Sequence, residues 1–282
     1  VRGGQHLFFS ERRSSGHRAS SEGRRRETPF DAFAEDGDRI AGEATDDGAI
    51  DLIIDGPFGA ALDAGPDNLV LRAARGLQAY LGEQRGAAIR LTKALPVASG
   101  IGGGSADAAA TLRLLVRLWD VRIDADELAA LALDLGSDVP ACVASVTQLV
   151  MGRGETLARH PVAGLEGLPM LLVNPGVALS TPRVFAAWDG RDRGALVADS
   201  LDGLTRYGRN DLEGAAIAIA PVVAKVLDAL KEREALLLAR MSGSGATCFA
   251  LFETAAARAV AARSVKAERP DWWIMETRIR RA

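Results

Sequence analysis

Lys93-Ala94-Leu95-Pro96-Val97-Ala98-Ser99-Gly100-Ile101-Gly102-Gly103-Gly104-Ser105-Ala106-Asp107-Ala108-Ala109-Ala110 is the stretch on which the reading of this chain turns. Glycine fills four of the five positions from 100 to 104, so the backbone is free to take φ > 0 and to approach a ligand closely. The residues after it, Ser105 to Trp119, are strong helix formers. A glycine loop running into a helix start gathers unpaired N–H groups at the positive end of the helix dipole, an arrangement suited to phosphate. No Lys follows the glycines, so this is not a Walker A loop. Ser105 stands where a dinucleotide fingerprint needs its third Gly, and Pro96 argues against the tight strand-to-helix turn of that fold.

Working outward, Ala88 to Lys93 alternates and reads as the strand entering the loop, while Asn68 to Gln84 repeats its apolar residues with helical spacing. Asp51 to Gly56 is a short strand ended by Gly56-Pro57. Leu128 to Leu135 reads as a helix and Val146 to Met151 as a strand. A Gly/Pro-rich joint over 165–169 precedes the strand Met170 to Val173, which puts a domain boundary near 165, with units 1–165 and 166–282. The second unit holds helices over Asn210–Ile219 and Pro221–Arg233. A glycine turn at Met241 to Gly245 leads into a strand over Thr247–Phe252, and another strand covers Trp272–Thr277. The fold class is α+β.

The bulk properties narrow the partners. A chain of 282 residues with 48% hydrophobic side chains is long enough to bury a full core, as a two-domain enzyme or as one large domain. Its 34 basic and 37 acidic side chains give no pull toward nucleic acid or anionic membranes. The longest uncharged run, Gly167 to Pro182, falls short of the ~18 residues of a membrane helix. Cys142 and Cys248 read as buried free thiols of a reducing, cytoplasmic setting, and His6, His17 and His160 share no metal-ligand spacing.

Pro96 to Ala106 resembles the ATP-binding loop of the GHMP kinases. The variant Gly-Gly-Gly-Ser-Ala-Asp-Ala-Ala is most similar to the branch that phosphorylates the 2-hydroxyl of 4-diphosphocytidyl-2-C-methyl-D-erythritol on the non-mevalonate route to isoprenoid precursors. Asp67-Asn68-Leu69-Val70, Leu135 to Pro140, Gly152-Arg153-Gly154-Glu155, Asn174 to Val177, Ser180-Thr181-Pro182, Arg209 to Glu213 and Met241 to Phe249 match that branch in order and spacing. The resemblance runs from about Phe33 to the C-terminus. It implies a ribosomal protein S5 domain 2-like N-terminal domain, a ferredoxin-like C-terminal domain, and ATP with Mg²⁺. It also implies a small-molecule acceptor, no nucleic acid or membrane partner, and a monomer or weak homodimer.

The same resemblance assigns roles. Pro96, Val97, Ala98, Ser99, Gly100, Ile101, Gly102, Gly103, Gly104, Ser105 and Ala106 would wrap the ATP phosphates. Asn68, Leu69 and Lys93 map to the nucleotide side, although by type Lys93 is equally a surface strand residue. Ser105 is either an N-cap or a contact for Mg²⁺ or a phosphate oxygen. Asp138 by type is a turn or capping residue; the resemblance aligns it with the aspartate that activates the acceptor hydroxyl. Thr181 and Asn210 would face the acceptor end, and Ser242, Gly243 and Ser244 a turn that supports the loop.

The opening of the chain departs from the family, which begins with Ala-Lys-x-Asn-Leu and then Asp-Gly-Tyr-His. Here no Lys precedes Lys93; counted back without gaps, the family's Lys falls near Phe9 and its Tyr-His near Arg24-Arg25. Residues 10–28 carry six Arg and five Ser. The expectation for residues 1–30 is a disordered basic tail or a frame-shifted segment, with the first strands of the sheet missing. Three readings stand beside a kinase of this branch: an impaired nucleotide-binding remnant, a homoserine- or mevalonate-type kinase, and a dead translation product that folds poorly because the first strands are missing.

Overall fold

Short apolar runs build the first sheet from distant parts of the chain. The computed structural model describes residues 5–10, 30–151, 156–191, 193 and 198–281. Strand β1 (Gln5–Ser10) pairs antiparallel with β2 (Phe30–Ala34), and Phe9 is the extra residue at a bulge, between Phe8 opposite Asp31 and Ser10 opposite Phe30. This corrects the expectation that the first strands are missing. The Leu7-Phe8-Phe9 run and the buried Ala32-Phe33-Ala34 are enough to pair two strands. The Arg/Ser-rich run beyond Ser10, with Arg24-Arg25, lies outside the described residues.

Next come β3 (Arg39–Thr45), β4 (Ile50–Asp55), helix α1 (Leu69–Leu81) and β5 (Gly86–Thr92). Strand β5 lies between its two partners, antiparallel to β3 and parallel to β4; α1 is the crossover that a parallel pair requires. Asn68 caps α1 at its start and Gly82, in the left-handed region, ends it. Helix α2 (Gly103–Leu118) packs against α1, burying Ala106, Ala108–Ala110, Leu112 and Leu115. Helix α3 (Ala125–Leu135) begins at a capping box of Asp124 and Glu127, a turn earlier than the apolar pattern alone indicates. The short α4 (Val139–Ala144), β6 (Gln148–Met151) and β7 (Thr156–Arg159) follow, and the first sheet reads β1-β2-β6-β7.

The remaining elements are β8 (Pro169–Asn174), α5 (Thr181–Ala187), α6 (Leu201–Tyr207), α7 (Glu213–Ile219), α8 (Val222–Lys231), β9 (Leu236–Met241), β10 (Cys248–Phe252), α9 (Ala255–Glu268) and β11 (Trp273–Arg278). Their sheet runs β11-β8-β10-β9, all antiparallel. In chain order that is fourth, first, third, second, the ferredoxin-like arrangement. Because side chains alternate across a strand, β8 sends Leu171 and Val173 into a core with α7, α8 and α9, and Met170 and Leu172 into a second core on the other face. That second core also takes Ala32 and Ala34 of β2 together with Leu95 and Ile101 from the glycine stretch. The loop is thus pinned by packing from the far half of the chain.

Trp119 closes α2 inside the remaining core, fully buried, with Nε1 donating to the Gly86 carbonyl at 3.1 Å. Replacing it by Ala should cost ~3–5 kcal/mol. Trp119→Phe should cost less, because it keeps most of the apolar burial and loses the bond, worth ~1 kcal/mol. Urea unfolding of the two variants checks the order.

Candidate active site

Two ends of secondary structure meet the glycine loop. Gly102 is the N-cap of α2 with φ 63°, and no side chain caps the helix there, so its first turn presents backbone N–H groups and the positive dipole end to whatever lies before it. Ser105 therefore stands inside the first turn, not at the cap. Gly100 has φ 75°, and a Cβ there would sit 2.3 Å from the Gly245 carbonyl oxygen, so only glycine permits this approach of the loop to the turn after β9. Thr247 N–H donates to the Ser99 carbonyl at 3.2 Å, and Ser99 Oγ to the Pro96 carbonyl at 2.7 Å.

Beneath the loop lies a buried charge cluster. Lys93 Nζ donates to Asp107 Oδ2 at 2.9 Å and to Asp38 Oδ2. Asp38 Oδ1 in turn accepts the backbone N–H of Ala94 at 2.7 Å and of Leu95 at 3.1 Å. All three side chains are at most 3% exposed, which removes the surface reading of Lys93. Burial works against the Lys93 charge, but Asp107 and Asp38 outweigh it and raise its pKa above the ordinary value. Burial pushes the Asp107 carboxyl up, to about 7, against the pull of Lys93 and with the repulsion of Asp38. A Cβ on Gly103 would lie 3.1 Å from the Lys93 ammonium, so the cluster touches the first residue of α2.

These parts face one cleft of about 770 Å³, within the size range of small-molecule sites. Pro96 to Ser105, Asn68, Leu69, Lys93, Asp107, Asp138, Thr181, Gly243 and Ser244 line it. Ala106 is buried behind the wall, as is Ser242. Asn68 holds the adjoining corner: Oδ1 accepts from Val70 N–H at 2.9 Å and Nδ2 donates to the Asp63 carbonyl at 2.8 Å. Asp138 is the N-cap of α4 but makes no capping bond with its side chain. Ser137 Oγ donates to its Oδ1 at 3.4 Å.

Thr181 and Ser244 face each other across the opposite wall, hydroxyl to hydroxyl at 2.8 Å. Asn210 does not line the cleft. Its Nδ2 donates to the carbonyls of Met241 at 3.0 Å and Gly243 at 2.7 Å, while its Oδ1 accepts from Leu212 N–H at 2.9 Å. Its amide is spent holding the 241–245 turn, so its expected place at the acceptor end is replaced by a supporting one. Gly152-Arg153-Gly154-Glu155 lies outside the described residues. Sequence reading missed Asp38 and Asp107. The signal for Asp107 was a lone carboxylate inside the alanine run that α2 buries.

Two outcomes follow from this geometry. Gly100→Ala forces the loop off the 241–245 turn, and ~1–3 kcal/mol of overpacking should weaken binding of an ATP analogue about tenfold or more by calorimetry. Between its ordinary value of 3.8 and about 7, the folded protein keeps a proton on Asp107 that the unfolded chain has released. Stability from this group therefore falls as pH rises through that window. Denaturant unfolding should show this slope in the wild type and lose it in Asp107→Asn; equal slopes refute it.

The profile described as GHMP kinases N terminal domain matches residues 68–145, and that described as GHMP kinases C terminal matches residues 194–270. The 4-diphosphocytidyl-2-C-methyl-D-erythritol kinase of Rhizorhabdus wittichii is 52% identical over 90% of this chain and 86% of its own length. The protein of the same name from Sphingopyxis alaskensis is 48% identical, covering 90% and 89%. A crystal structure of 4-(cytidine 5'-diphospho)-2C-methyl-D-erythritol kinase superposes with a TM-score of 0.79 at 27% identity, over 100% of this chain and 99% of that one. Homoserine kinase from Cytophaga hutchinsonii shares the fold, with a TM-score of 0.71 at 18% identity over 89% of each chain. With both family domains matched in order and near half its residues shared with these relatives, the chain belongs to the GHMP kinase family.

Proposed function

We propose that this chain is an ATP-dependent kinase that transfers the γ-phosphoryl group of ATP to the 2-hydroxyl of 4-diphosphocytidyl-2-C-methyl-D-erythritol, a cytoplasmic step of non-mevalonate isoprenoid precursor synthesis. One observation carries the reading: the glycine loop at the start of α2 and the carboxylate-bearing Asp138 line a single cleft. The names borne by the relatives supply the acceptor.

Phosphoryl transfer asks for positioning, charge neutralisation and a group that takes the acceptor's proton. The backbone N–H groups of the loop hold the ATP phosphates, and the α2 dipole favours the negative charge left on ADP. Asp138 is the general base: one carboxylate oxygen accepts the hydroxyl proton as the acceptor oxygen attacks phosphorus. Asn68, Leu69 and Lys93 bound the nucleotide side, and Thr181 the acceptor side. No group of three acidic, His or Cys side chains suited to a metal exists among the described residues. Mg²⁺ would be held together with the ATP phosphates, with the Ser105 hydroxyl at the cleft wall placed to meet it. When bound it neutralises phosphate charge.

No lysine stands in β1, and counting along the sequence without gaps sets Phe9 near the position of the lysine that the family carries on its first strand. Without that cation beside the base, turnover should suffer more than ATP binding. That departure also favours a second reading, a nucleotide-binding remnant without turnover. ADP release with Mg²⁺ and this acceptor, and with homoserine and mevalonate in parallel, separates the readings. Turnover on the first alone is expected. ATP binding without turnover on any acceptor leaves the remnant. Asp138→Asn should lower kcat by ~10²–10⁴ and leave ATP affinity unchanged; full activity in that variant removes Asp138 as the base.

A further inference from the structure

Asp138 stands at the front of a helix only six residues long. A helix this short does not hold itself, and its last carbonyls lack partners within it. In α4 those carbonyls are met from outside. Arg113, in the middle of α2, directs Nη1 at the carbonyls of Cys142, at 2.7 Å, and Val143, at 3.2 Å. Gln148 Nε2, from the start of β6, adds a second donor at 3.0 Å to the Ala141 carbonyl, which already accepts the C-cap N–H of Ser145 at 2.8 Å. The Arg113 cation also lies where a helix dipole favours positive charge, at the C-terminal end. Burial pulls its pKa down, to about 10; it remains charged at neutral pH while giving up hydration for these contacts.

The same helix α2 carries the glycine loop at its first residue. One rigid element therefore sets both the loop, through its N-terminus, and the far end of α4, through Arg113. We propose that Arg113 is a positioning residue for the transfer: it clamps the back of α4 and so fixes where Asp138, at the front, stands relative to the phosphates. The inference rests on the reading of Asp138 as the base. Arg113 touches no reacting atom; it acts through the backbone of α4.

The test compares Arg113→Met, Arg113→Lys and Asp138→Asn with the wild type, reading kcat, KM for both substrates and the affinity of an ATP analogue. A displaced base should cost Arg113→Met about ten- to hundredfold in kcat with ATP affinity unchanged. Arg113→Lys keeps the cation with a single nitrogen and should recover part of that loss. Should Arg113→Met fail to fold, Arg113→Lys carries the test alone: kcat must fall with ATP affinity kept. Wild-type kcat in the folded Arg113 variants overturns the proposal, and so does an equal loss of ATP affinity and kcat, which would mean general damage to α2. If Asp138→Asn is inactive while the Arg113 variants are not, the clamp fails and the base stands. If Asp138→Asn is fully active, the base fails first and the clamp with it. Absence of turnover in the wild type removes both.

Discussion

The ammonium of Lys93, held between the carboxylates of Asp38 and Asp107, is the interaction on which the cleft depends. It gathers three segments distant in sequence: the approach to β3, the end of β5 and the first turns of α2. Taking charged groups out of water is expensive unless each finds partners, and removing one member of a buried ion group costs ~3–5 kcal/mol. Here the partners are nearly complete. Asp38 spends both oxygens, one on the ammonium and one on the N–H groups of Ala94 and Leu95. The loop therefore leaves β5 in a fixed direction before its glycines begin. The one acceptor without a partner is Asp107 Oδ1, and Asp107 is the carboxyl whose charge burial opposes most strongly.

From that anchor the architecture of the site is a matter of backbone reach. Ile101 goes into the core shared with Phe249 and Leu172, while the glycines on either side keep the main chain close to its neighbours. The turn at 241–245 closes over the loop, and Asn210 holds that turn from behind with two carbonyl contacts. Asp138 at the cleft wall is supported differently, by a short helix tied back to α2. Both walls thus refer to one rigid helix.

What was legible in the sequence was local. A glycine run before an alanine-rich helix announces its geometry in adjacent residues, and the strands Ile50–Asp55 and Gly86–Thr92 and the helix Leu69–Leu81 follow from short periodic patterns. The roles of Asp38 and Asp107 are not local, since nothing beside either residue says that a lysine on another strand will lie between them. Helix α4 has too few residues to show a period; Val139, Ala141 and Cys142 pack it into the core, and Arg113 and Gln148 reach its carbonyls from elsewhere in the chain. Strands β1 and β2 were hidden for another reason. Their apolar runs are brief and flank an Arg/Ser-rich segment whose composition dominated the reading. Asn210 was placed at the acceptor because motif order says which residues matter but not which way an amide turns.

The contact of Gly100 with Gly245 has a mechanical consequence. There a chain from each half of the molecule meets with no room for a single added carbon. The pair acts as a rivet: a displacement of the 241–245 turn cannot leave the glycine loop behind, so the two halves of the chain share one alignment at the cleft wall.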